Sequence, residues 1–142
     1  MLTRNDLQDL ARLRLREAEH LYKKGLYDGC VYLCGYVIEF ALKARICKVL
    51  KLHRYPDEGK GSEVFRKHDF AFLLRLTGLE WVMTGSSPVH RKLRENWSIA
   101  AEWNPEARYR PVGTCDKKKA RDVLSSINEE PDGVLTWLSK QW

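Results

Sequence analysis

A chain of 142 residues, 44% hydrophobic and 11% aromatic, is long enough to build one domain over residues 1–142 with its own core and without disulfide or metal staples. Its 25 Lys and Arg against 19 Asp and Glu leave a net charge of +6, a balance that directs attention to acidic partners such as nucleic acid, nucleotides or an acidic protein. The opening MLTRNDLQDL lacks the apolar run of a secretory signal, no stretch approaches the roughly 18 apolar residues of a membrane span, and the four cysteines form no CxxC pair, so the expectation is a cytoplasmic protein with free buried thiols.

Residues 4 to 24 read as a first helix, with Thr3 or Asn5 to cap it and Leu7, Leu10, Ala11, Ala18 and Leu21 as its apolar side. Arg12, Arg14 and Arg16 belong to its solvated surface. Gly25 ends it, and the short GLYD connection, with Asp28 as N-cap of the next helix, predicts an antiparallel hairpin. Residues 28 to 50 are apolar on nearly every side, which places this second helix at the centre of a bundle. Tyr32, Tyr36, Glu39 and Lys43 nevertheless fall in one narrow stripe along it.

Pro56 opposes continuation of that helix, and YPDEGKGS at 55 to 62 reads as a mobile loop. A shorter helix follows from His68 or Asp69 and stops at Gly78. Ser87 as cap and Pro88 in the first turn predict a fourth helix reaching Trp103, with Leu93, Trp97, Ala100 and Ala101 inward. The Pro-flanked segment WNPEARYRPVGT is irregular and groups Arg108, Tyr109 and Arg110. A last helix starts near Asp116 and carries Ala120, Val123, Leu124 and Ile127, and Pro131 separates it from a final turn with Val134, Leu135, Trp137 and Leu138. No stretch sustains strand alternation. The fold class expected is all-α, a four-to-five-helix up-and-down bundle with two long N-terminal antiparallel helices.

The chemistry-bearing residues admit two readings each. Cys30 and Cys34 have a spacing compatible with a metal, but no further ligands accompany them, so no metal or other cofactor is expected. GKGS at 59 to 62 lacks the spacing and preceding strand of a phosphate loop. His68 and Asp69 either cap and pack a helix or supply an acid or base. Glu39 and Lys43 form the favourable i,i+4 ion pair, structural or catalytic. Arg108, Tyr109 and Arg110 are residue types that hold phosphates and stack on bases, and equally types that anchor a loop.

Three stretches, LYKKGLYDGCVYLCGYVIEFALKARI at 21 to 46, KHDFAFLLRL at 67 to 76 and WNPEARYRP at 103 to 111, resemble the HEPN domain superfamily of small helical bundles. Gly35, Tyr36, Ile38, Glu39, Leu42, Lys43 and Ala44 match a GYxIExxLKA-like run, His68 and Asp69 an HDL-like helix start, and Arg108 and Tyr109 an RY-containing segment. The resemblance implies a helical bundle that forms homodimers with a cleft at the interface. Many such proteins are metal-independent ribonucleases of toxin–antitoxin or defence systems that use an Arg followed by four to six residues and a His. Arg12 and His20, like Arg45 and His53, are separated by seven residues, and Arg66 and His68 by one. No arginine in the chain is expected to meet the family spacing, and the usual catalytic centre is expected to be missing. The expectation is therefore a non-catalytic module that binds nucleotide, RNA or a partner protein, such as a minimal nucleotidyltransferase, through Tyr36, Glu39, Lys43, His68, Asp69, Arg108 and Tyr109. The alternative is a ribonuclease with a non-standard centre, Arg45 with His53 or His68 with Arg108. A plain homodimer scaffold lined by the polar stripe is the third reading.

Overall fold

The structure, a computed structural model, describes all 142 residues. It is all-helical: α1 (Arg4–Lys23), α2 (Tyr27–Val49), α3 (Phe70–Leu76), α4 (Glu80–Thr84), α5 (Arg91–Ala100), α6 (Lys117–Asn128) and α7 (Val134–Leu138). Five of these have seven residues or more, which agrees with the expected bundle, and α4 and α7 are five-residue additions to it. One isolated bridge, between Thr3 and Arg54, is the only strand-like pairing.

The α1–α2 hairpin forms as the sequence predicts. Thr3 accepts from the Asp6 amide while the Asp6 carboxylate accepts from the Thr3 amide, a reciprocal capping box that satisfies two orphan donors. Gly25 turns the chain with φ of 76°, a left-handed conformation that costs a glycine nothing. Thirteen residues of α2 are buried, from Cys30 to Cys47, including Glu39 and Lys43. The helix is the axle of the bundle, packed against α1, α3, α6 and α7.

Three local expectations are corrected. Asp28 does not cap α2, whose N-cap is Leu26; its carboxylate instead reaches across the fold to the Gly113 and Cys115 amides, at 2.6 and 2.8 Å. Ser87 makes no side-chain cap. Residues 88 to 90 form a 3-10 turn, and α5 begins at Arg91 and ends at Ala100, before Trp103. The loop at 55 to 62 is pinned rather than loose: Tyr55 is 1% exposed and donates its hydroxyl to the Phe65 carbonyl, and Arg66 donates to the Asp57 carbonyl. An aromatic ring in an otherwise polar loop was the one sign of that anchor.

At two other helix starts an aspartate is the cap: Asp69, as one of its two readings has it, and Asp116, where the expectation is only that a helix begins. Asp69 accepts from the Phe72 amide at 2.8 Å and Asp116 from the Lys119 amide at 2.8 Å. Cys30, Cys34 and Cys47 are buried thiols, and Cys115 is half-buried.

Candidate functional site

Glu39 organises the site. Its carboxylate is 2% exposed on a helix surrounded by apolar side chains, where an unpaired charge costs several kcal/mol or more. Both oxygens are partnered. One accepts from Lys43 Nζ at 2.8 Å, one turn further along α2, and the other meets His68 Nδ1 at 2.8 Å. Lys43 is itself 10% exposed, and its ammonium stands 5.0 Å from the centre of the buried Tyr55 ring, whose face is electron-rich.

His68 differs from the other two in being 47% exposed. An ionised carboxylate can only accept, so the proton of a neutral imidazole lies on Nδ1 and Nε2 is left as a free acceptor. Asp69, as the α3 N-cap, fixes the backbone from which His68 projects. The Lys67–His68–Asp69 corner thus has a rigid floor, and a groove of about 460 Å³ opens beside it between α3 and the Trp103–Pro105 turn.

The aromatic half of the stripe forms the neighbouring wall. The Tyr32 and Tyr36 hydroxyls are 3.1 Å apart, and Tyr36 meets Trp103 edge to face at 5.2 Å. Burial, then the Tyr32 hydroxyl, push the Tyr36 phenol up to about 12, so it stays protonated at neutral pH. Trp103 stacks on Phe70 at 5.5 Å and lies directly against Gly35, where a Cβ would come within 1.9 Å of the indole. Gly35 is therefore the position that lets Trp103 seat, and the Trp103 indole nitrogen is buried there without a hydrogen-bond partner.

Arg108 belongs to a 3-10 turn, Pro105–Tyr109, that follows this wall. Its guanidinium covers the Tyr109 ring at 4.6 Å and donates to the Pro105 carbonyl at 3.0 Å. It has no carboxylate within ion-pair distance, and Tyr109 is 73% exposed. Glu39 raises the Tyr36 phenol and Arg108 lowers it, each less than burial and the Tyr32 hydroxyl do. The seven residues expected from sequence thus divide. Lys43 and His68 each bond Glu39, Tyr36 lies one turn along α2, Arg108 and Tyr109 sit outside that cluster, and Asp69 caps α3.

One arginine and histidine do satisfy the four-to-six spacing: five residues separate Arg14 from His20. This corrects the expectation that no arginine in the chain meets the spacing. Both lie within the unbroken helix α1, where six residues put them about 9 Å apart along the axis and about 120° apart around it. Arg14 is moreover held by both oxygens of Glu17, at 2.8 and 2.6 Å. Within one chain the motif is present in spacing and does not converge in space. Arg45 is equally engaged, donating to the carbonyls of Thr77 and Gln141.

No curated protein and no solved structure matches the chain. The HEPN domain family model matches residues 5–130, which takes in the hairpin, the Glu39–His68 contact and the Arg108 turn. With its all-helical bundle and that match over most of its length, the chain belongs to the HEPN domain family.

Proposed function

We propose that this protein is a HEPN-family binding module for a nucleotide or single-stranded RNA, held at the face formed by Lys67, His68, Arg108 and Tyr109. The observation that carries the reading is the division of labour at Glu39. Its carboxylate is fully used in holding His68 and Lys43, so the buried pair serves as scaffold and the half-exposed His68 is the member that meets a ligand. Two cations without acidic partners lie in the flanking segments: Lys67, the residue before His68, over the Phe72 ring at 4.7 Å, and Arg108 over Tyr109. Neither Lys67 nor Arg108 is paired with a carboxylate, so each is free to meet an anion. Guanidinium and ring faces together suit phosphates and bases.

Titration with ATP and with a short single-stranded RNA at low salt tests this. Saturable binding is expected, weakened about tenfold by Arg108→Ala, the worth of one charge-assisted contact. Binding untouched by Arg108→Ala, Lys67→Ala and His68→Ala would remove the assigned face.

The His68–Glu39 pair also favours a second reading, because a carboxylate that fixes an imidazole is how a general base is oriented. A ribonuclease centred on His68, with Arg108 to stabilise phosphate charge, fits that feature. A metal-free RNA cleavage assay on the purified protein separates the two, with His68→Ala and His20→Ala in parallel. Cleavage lost in either variant would establish the enzyme and displace the binding-only reading. The family match supports a place in a two-component toxin–antitoxin or defence pair, in the cytoplasm, as a homodimer or beside a nucleotidyltransferase.

A further inference from the structure

We infer that a second, separate cavity in this chain binds a small anion carried on a single planar ring. The cavity lies on the other side of Trp103 from the groove, enclosed by α2, α5, α6 and the 105 to 115 segment, with a volume of about 160 Å³. A dry apolar cavity of roughly 150 Å³ accommodates one benzene ring, so the space suits a six-membered ring and excludes a purine nucleoside. Its walls are Val31, Ile99, Ala100 and Val123, with the rings of Tyr32 and Trp103 on the α2 side. These surfaces suit the face and edges of a flat ring.

The mouth is of a different character. Arg110 and Lys119 line it, together with the Asp28 and Glu102 carboxylates. Lys119 is neutralised by Glu102 at 2.9 Å, while Arg110 has no acidic partner. An uncompensated guanidinium above an apolar pocket selects a ligand with an apolar ring and one anionic group, a carboxylate or a phosphate. The pocket is also preformed. Asp28 accepts from the Gly113 and Cys115 amides, and those bonds, the Cys115 one foremost, hold the Asp28 carboxyl below the usual range. They tie residues 113 to 115 across the opening, so little ordering remains for a ligand to impose. This explains why Asp28 serves a distant strap instead of its own helix.

The inference does not rest on the proposed function, since Arg110 is outside the Lys67, His68 and Arg108 face and Trp103 is the one side chain that lines both the cavity and the groove. Calorimetric titration of the full chain with benzoate, uridine 5′-monophosphate and neutral benzyl alcohol tests it. At least one anion is expected to saturate, with benzyl alcohol at least about tenfold weaker, the worth of a hydrogen bond to a charged group. Benzoate binding alone would identify a carboxylate source, uridine 5′-monophosphate alone a pyrimidine nucleotide. Arg110→Gln, a change of an exposed side chain, should reduce the anion to the level of benzyl alcohol, and Ala107→Trp should fill the space and abolish both. No saturation by either anion, equal binding of the neutral ring, or anion binding unchanged in Arg110→Gln would overturn the site.

Discussion

Glu39 and Lys43 show how far a spacing argument reaches. An i,i+4 acid and base on one helix are legible as a pair from sequence alone, and the structure forms that pair at 2.8 Å. The second partner is not legible, because His68 is 29 residues away and is delivered by a loop whose path depends on Tyr55 being buried. The energetic consequence follows from burial. Removing Glu39 leaves the Lys43 ammonium in a low-dielectric site with only a ring face for company, and breaking a buried pair from one side costs about 3–5 kcal/mol. Glu39→Gln should therefore lower the unfolding free energy by about 3 kcal/mol in urea titration. Glu39→Gln combined with Lys43→Met removes the stranded charge together with the acid, and should be less destabilised than Glu39→Gln alone. A double variant as unstable as the sum of the singles would show that the two residues do not act as a pair.

Among elements, local start signals held at three helices and misled at two, Asp28 and Ser87, while a helix defined by tertiary contact carried none. Thr3, Asp69 and Asp116 each cap the helix their position predicts, since a side chain bonding an amide three residues on needs nothing from the rest of the fold. Helix α4 has no such signal, its N-cap Leu79 making no side-chain bond, and it is held by burial of Val82 and Met83. The same limit applies to Gly35 on α2. Nothing in a helical pattern announces that a glycine there receives an indole from residue 103. The contact has a sharp consequence, because a Cβ at Gly35 overlaps the Trp103 ring and overpacking of a seated ring costs about 1–3 kcal/mol. Gly35→Ala should lower stability by about that amount and weaken ligand binding at the groove that Trp103 walls. Adding Trp103→Leu should recover part of the stability and none of the groove. Equal melting of Gly35→Ala and wild type would mean that Trp103 does not sit where the α2 backbone requires a glycine.

At the scale of the whole molecule, the central apolar helix with its polar stripe is both the core and the floor of the site. A bundle has room for few polar groups inside, so those it keeps are satisfied internally, and ligand-facing charge must come from the segments laid over it. That is the arrangement here: Glu39 and Lys43 are internal, whereas His68, Arg108 and Arg110 arrive from the two irregular connections. The cations of those connections act locally, and their contribution can be separated from that of the apolar cavity by salt. Single-stranded RNA held by two or three phosphate contacts should lose affinity with a log–log salt slope of about −2, near −0.7 for each contact. Arg108→Ala should flatten the slope by about 0.7 and lower affinity by a similar factor across sequences. Affinity that persists while the slope stays near zero would move RNA recognition away from the Arg108 face, because ring insertion into an apolar pocket releases few counterions and is largely indifferent to salt.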